Sequence, residues 1–182
     1  MKKNHSFLTA LFFVMLPLLS ACDKSGKTPE AVVEKKIETV DACSLVTQEA
    51  VDSLFAESPG PGGSSSPTPD IQGCVWPAEG LSRLILQVLP APASVRDSID
   101  LGDGYRIIDV EGLSGQAAAA IQKENPEYGI TSGLAIFGIV KDDYMVTLSP
   151  VRLNIKERSP QFELLKELAN SAVQRLGDNK SK

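Results

Sequence analysis

Residues 7–19, FLTALFFVMLPLL, decide which part of this chain can belong to a fold at all. The run is almost wholly apolar, is 13 residues long and follows Lys2 and Lys3. A membrane-spanning helix needs about 20 apolar residues, so the run is too short to span. A positive start, a short apolar centre and then small residues (Ser20, Ala21) make the layout of a secretory signal peptide, expected over residues 1–21. Its removal takes two lysines and no acid, which leaves 161 residues with 16 basic and 23 acidic side chains, net −7. That length suits one domain. Such a charge is not built to hold nucleic acid or acidic lipid electrostatically.

The last four residues of this region, Leu19-Ser20-Ala21-Cys22, resemble the lipobox of bacterial lipoproteins, in which the chain is cut before the cysteine and that cysteine is acylated. The resemblance implies that Cys22 is the lipidation site and that the mature protein is tethered to a membrane without spanning it. Asp23 resembles the inner-membrane retention signal of enterobacterial lipoproteins, which favours the inner membrane slightly; the outer membrane stays open.

Three cysteines are an odd number for an exported chain. With Cys22 acylated, Cys43 and Cys74 remain, and an oxidising periplasm favours their pairing as a disulfide. The alternatives are two free thiols or metal ligands, and no histidine or third cysteine stands near to complete a zinc set.

Residues 22–40 are charged and thin in apolar content, and read as a flexible tether. The domain is expected over 41–177. In DACSLVTQEAVDSLF, Thr47 is an N-cap with Glu49 in the first turn, and Ala50, Val51, Leu54 and Phe55 share one face. ESPGPGGSSSPTPD, residues 57–70, has four prolines and no large apolar residue and reads as a mobile surface loop. GCVWP and SRLILQVLP read as a hairpin about the turn AEG, with Cys74 and Trp76 on the same side of their strand. PASVRDSID is a short helix or a turn, and YRIIDVEG is a strand. LSGQAAAAIQKE is either a helix or a strand entry, and its alanines favour helix. GLAIFGIVKDDYMVTLS is the strongest hairpin, and apolar runs such as LAIFGIV mean either two covered faces or a partner surface. Ser159 caps a final helix with Pro160 in its first turn, a stripe from Phe162 to Leu176, and Gly177 as its stop. Residues 178–182 read as a disordered tail. The sum is an α+β domain: an antiparallel sheet of about five strands with helices packed on one face.

Taken together, DACSLVTQEAV, GCVWP and VEGLSGQAAAA before a final hairpin and helix are similar to a family of small secreted lipoprotein domains of unknown function. The resemblance covers residues 41–176. It implies a cell-envelope binding or accessory role and supplies no catalytic residue. The long Gly/Pro/Ser insertion and Gly112-Leu113-Ser114-Gly115 depart from the family's pattern.

Chemistry is constrained by an absence: the only histidine, His5, lies in the signal region. That excludes Ser-His-Asp and Cys-His mechanisms in the mature chain. Ser114 lies between glycines, yet GLSG is not the G-x-S-x-G elbow, and a turn explains it. Asp100, Asp103, Asp109, Glu111, Asp142 and Asp143 are available as paired carboxylates, but sequence places no two across a cleft. DLGDGY lacks the ligand order of a calcium loop. Trp76 reads as a core ring against the disulfide, with a ligand-stacking platform as the alternative. No catalytic residue, metal or cofactor is expected. The expected function is a non-enzymatic, periplasm-facing lipoprotein whose contacts are the membrane, through its lipid, and an envelope protein. The alternative is a small-ligand lipoprotein with a pocket between sheet and helices.

Overall fold

In the computed structural model, which describes residues 40–179, one antiparallel sheet organises the chain. The expected signal peptide, Cys22, the tether up to residue 39 and residues 180–182 lie outside the described residues. The strands are β1 (Gly63–Thr68), β2 (Ile71–Pro77), β3 (Arg83–Pro90), β4 (Tyr105–Val110), β5 (Gln116–Gln122), β6 (Gly133–Lys141) and β7 (Tyr144–Val151). The helices are α1 (Gln48–Asp52), α2 (Val95–Ser98) and α3 (Pro160–Asn179). The strand order is β1-β2-β3-β7-β6-β5-β4. Two meanders, β1 to β3 and β4 to β7, are therefore stitched into one sheet by the β3–β7 pair, in register from Arg83 opposite Val151 to Pro90 opposite Tyr144.

The larger core lies between one sheet face and α1 and α3. Leu86, Leu148 and Phe137 stand in one row across β3, β7 and β6, and Val88, Val146 and Ile139 in the next. Phe162, Leu165, Ala169 and Val173 of α3 are buried against this cluster. Phe162 meets Phe137 edge-on, with ring centroids 6.1 Å apart and planes at 71°, a preferred aromatic geometry. Complete burial of each such side chain contributes about 1.5–3 kcal/mol. Ser159 caps the helix as its sequence indicates: the Phe162 amide donates to Ser159 Oγ at 3.2 Å. Thr47 likewise accepts from the Ala50 amide at 3.3 Å and starts α1. Cys43-Ser44-Leu45 itself is a 3-10 turn, capped by Asp41.

Five expectations are corrected. The sheet has seven strands, not about five. One of the added strands, β1, lies inside the segment read as a loop. Gly63, Ser64 and Ser65 pair with Val75, Cys74 and Gly73, because an edge strand needs only backbone hydrogen bonds on one side and its small side chains do not oppose them. The other, β5, is the alanine run. It sits between β4 and β6, and Ala117, Ala118, Ala119 and Ala120 are all buried, alternating between two cores. Burial on both faces, rather than helix propensity, accounts for its small side chains.

The helices also do not share one face. Val95 of α2 and Ile99, just past its end, pack on Ala118, Ala120 and Met145, a second core on the opposite face. Gly138 makes room for them: a Cβ there would stand 2.9 Å from Met145 Cε, 3.0 Å from Ile99 Cγ2 and 3.1 Å from Val95 Cγ2. The two-sided apolar run of β6 thus has both faces covered at this point. Finally, α3 does not stop at Gly177. It continues through Asn179, so residues 178 and 179 are helical rather than tail. Gly177 is absent from the set of left-handed glycines that would end a helix there.

Candidate functional site

Cys43 and Cys74 form the expected disulfide, with a Cα–Cα distance of 5.0 Å across a sequence separation of 31. It fastens the first 3-10 turn to the middle of β2. Trp76, two residues on, shares that face and is 2 % exposed. Gly62 rests on both: a Cβ there would lie 2.5 Å from Trp76 Nε1 and 2.8 Å from Cys74 Sγ. The ring is therefore a wall of the core, covered by the chain entering β1, and presents no open platform.

The remaining sequence candidates are placed but not brought together. Ser114 donates through its amide (2.9 Å) and hydroxyl (2.7 Å) to Asn170 Oδ1, which ties the β4–β5 loop to α3. Asp109 pairs with Arg96 at 2.6 Å. Asp142 and Asp143 form the β6–β7 turn, with Asp142 at φ 54°. Asp100 Oδ1 accepts the Gly102 amide at 2.8 Å, and the Asp103 carbonyl accepts Lys123 Nζ at 2.7 Å. Asp100 and Asp103 precede β4, whereas Asp109, Glu111, Asp142 and Asp143 lie at the other ends of the strands. Among the described residues, no three of His, Cys, Asp and Glu converge as a metal set, and no helix is long and apolar enough to cross a membrane.

One carboxylate missed by sequence reasoning is electrostatically distinct. Glu157 accepts a hydrogen bond from the Arg106 guanidinium, which holds its carboxyl below the ordinary glutamate value. Partial burial opposes this, and the charges of Arg106 and Arg158 reinforce it. Arg106 opens β4 and Glu157 lies in the connection before α3, so the pair pins that connection to the sheet edge.

Two of the concavities among the described residues bear on the expected ligand pocket. A shallow groove of about 390 Å³ runs between α1 and α3, lined by Val46, Ala50, Leu164, Leu168, Glu49 and Arg175. An apolar pocket of about 430 Å³ lies on the second sheet face beside α2, lined by Leu89, Pro90, Ile99, Ile136, Met145 and Thr147.

The large hydrophobic side chains exposed among the described residues are Leu81 (68 %), Leu101 (43 %) and Tyr128 (73 %). All three project from one rim of the sheet. The β2–β3 turn carries Leu81, the β5–β6 connection carries Tyr128, and the entry to β4 carries Leu101. The registers Pro77–Arg83, Arg83–Val151, Gln122–Gly133 and Tyr105–Gln122 bring those strand ends together. Leu81 stands at φ 68°, a left-handed conformation that costs a leucine roughly 1–2 kcal/mol. Exposure and strain in one side chain give the fold itself no evident return. The sequence signal was an apolar residue beside a glycine in each polar connection: Gly80-Leu81, Leu101-Gly102 and Tyr128-Gly129. Comparison with protein-family models, curated proteins and solved structures gives no match.

Proposed function

We propose that this chain is a lipid-anchored, periplasm-facing envelope protein whose domain binds another envelope component and carries out no catalysis. The observation that carries the reading is Leu19-Ser20-Ala21-Cys22 directly after a short apolar run. The Cys43–Cys74 bridge supports it, because such bridges persist in oxidising compartments. The tether supports it too: the 18 residues after Cys22 span at most about 60 Å when extended. Anchoring then raises the domain's effective concentration at the membrane surface. The resemblance to secreted lipoprotein domains points the same way, and Asp23 favours the inner membrane.

Mass spectrometry of the mature N terminus from the native host tests the anchor. An acylated Cys22 is expected; an intact Met1 with all cysteines reduced would refute it. Affinity capture with the acylated protein from membranes tests the binding role, for which one stoichiometric envelope protein is expected.

The apolar pocket beside α2 favours a second reading, a small-ligand lipoprotein. Its volume of about 430 Å³ lies within the range of ligand sites. An apolar molecule retained through gentle purification would select this reading over the first.

A further inference from the structure

We infer that the rim bearing Leu81, Leu101 and Tyr128 is a membrane-contact edge, where these three side chains enter the surface of a lipid bilayer. The inference rests on the anchored reading for its setting, since the anchor would hold the domain beside a bilayer.

Each side chain sits on a turn shaped to present it. Leu81 follows Gly80, and both are left-handed, at φ 68° and 64°. Arg152 Nη1 donates to the Gly80 carbonyl at 3.2 Å and braces that turn from the end of β7. Tyr128 ends a 3-10 turn closed by left-handed Gly129. That turn tips a hairpin carried beyond β5 and β6 by the paired Asn125 and Ile130. Leu101 precedes left-handed Gly102, whose amide is held by Asp100. Lys123 Nζ, donating to the Asp103 carbonyl, ties this turn to the same hairpin.

The spacing selects the occupant. With strands about 4.8 Å apart, Leu81 and Tyr128 are about 14 Å apart and the first and last tips, Leu81 and Leu101, about 22 Å apart across the rim. A protein partner gains affinity from a contiguous desolvated centre, whereas separated apolar tips with polar backbone between them suit a fluid surface that closes around each one. Charge sets the orientation. The opposite rim carries Asp70, Glu111, Asp142 and Asp143 in its turns and none of the exposed large hydrophobics. An anionic bilayer repels that rim. The near rim mixes Arg83, Lys123, Arg152 and the paired Arg106 and Glu157 with Glu79, Asp100, Asp103, Glu124 and Glu127, so contact there rests on the apolar tips and not on charge attraction.

The test uses the mature chain, residues 22–182, carrying Cys22→Ser, which lacks both the apolar run of residues 7–19 and an acyl group and so separates the rim from the anchor. Sedimentation with vesicles of phosphatidylethanolamine and a minority of phosphatidylglycerol is measured before and after adding Leu81→Ser or Tyr128→Ser. Each substitution is expected to weaken partition roughly five- to tenfold, from the apolar area withheld from lipid, with little dependence on salt. Hydrogen exchange should slow at residues 78–82 and 123–132 when vesicles are added. Unchanged partition in both variants, with the near-ultraviolet signal of Trp76 showing an intact fold, would overturn the inference. So would binding abolished by moderate salt, or rim protection that appears only with a soluble protein partner. Acylation of Cys22 is read separately by mass, so failure of the anchor and failure of the rim are distinguishable.

Discussion

Two adjacent glycines should respond with opposite signs to the same substitution. A Cβ on Gly62 would stand 2.5 Å from Trp76 Nε1, 2.7 Å from Trp76 Cε2 and 2.8 Å from Cys74 Sγ. Real Cβ atoms do not approach so closely, and none of these neighbours is a free-ended chain. Trp76 is a buried ring, and Cys74 is fully buried and bonded to Cys43. The overlap must be relieved by moving β1 away from β2, and overpacking of this kind costs typically 1–3 kcal/mol. A Cβ on Gly63 meets nothing within 4 Å. Neither glycine has a positive φ, so alanine is conformationally allowed at both. Alanine at Gly63 should therefore stabilise by about 0.4–1 kcal/mol, through the lost freedom of the unfolded chain. Gly62→Ala is expected to lower stability by about 1.3 kcal/mol, within about 0–2.5 kcal/mol, after that same gain is offset. Urea unfolding of the oxidised protein, followed by Trp76 fluorescence, reads both values. The corresponding shift in midpoint temperature is roughly 3–5 °C per kcal/mol for a domain of this size. If both substitutions stabilised alike, residues 57–70 would be the open loop their composition predicts, and the packing of β1 on Trp76 would be refuted.

Further outcomes follow from the covalent and polar ties. Replacing Cys43 and Cys74 with alanine should cost roughly 3.5–4 kcal/mol for the separation of 31 residues on the chain-entropy account; a loss under about 1 kcal/mol in urea unfolding would reject it. The Glu157 carboxyl is held below its ordinary value by Arg106, so its contribution is full above the unfolded glutamate pKa of about 4.3 and vanishes as pH falls through the folded value. The pair is partly exposed, which limits it to about 0.2–1 kcal/mol. Glu157→Gln should remove that amount at neutral pH and flatten the stability profile below pH ~4.3, and an unchanged acid limb would exclude the pairing. Asn170→Ala strips the Ser114 amide and hydroxyl of their acceptor. Its expected cost is about 0.5–1.5 kcal/mol, with faster hydrogen exchange at Ser114; an unaltered exchange rate there would show that the loop is held by other contacts.

Local sequence determined the features whose causes are local. Thr47 and Ser159 announce their helices because a capping oxygen acts within three residues. The hairpins β2–β3 and β6–β7 follow from alternating apolar runs around short polar turns, and the count of cysteines pointed to Cys43 and Cys74. Tertiary structure decided the rest, where the cause lies far along the chain. The alanines of β5 are small because α2 presses on one face while the α3-side core fills the other, and a propensity scale contains neither contact. Residues 63–68 become a strand because β2, already fixed by its disulfide, offers them an unpaired edge. The three exposed tips share a rim only because the strand registers bring their turns to one end of the sheet. Sequence specifies what each segment prefers; packing determines what it meets, and burial energy of several kcal/mol outweighs preferences of about one kcal/mol or less per residue.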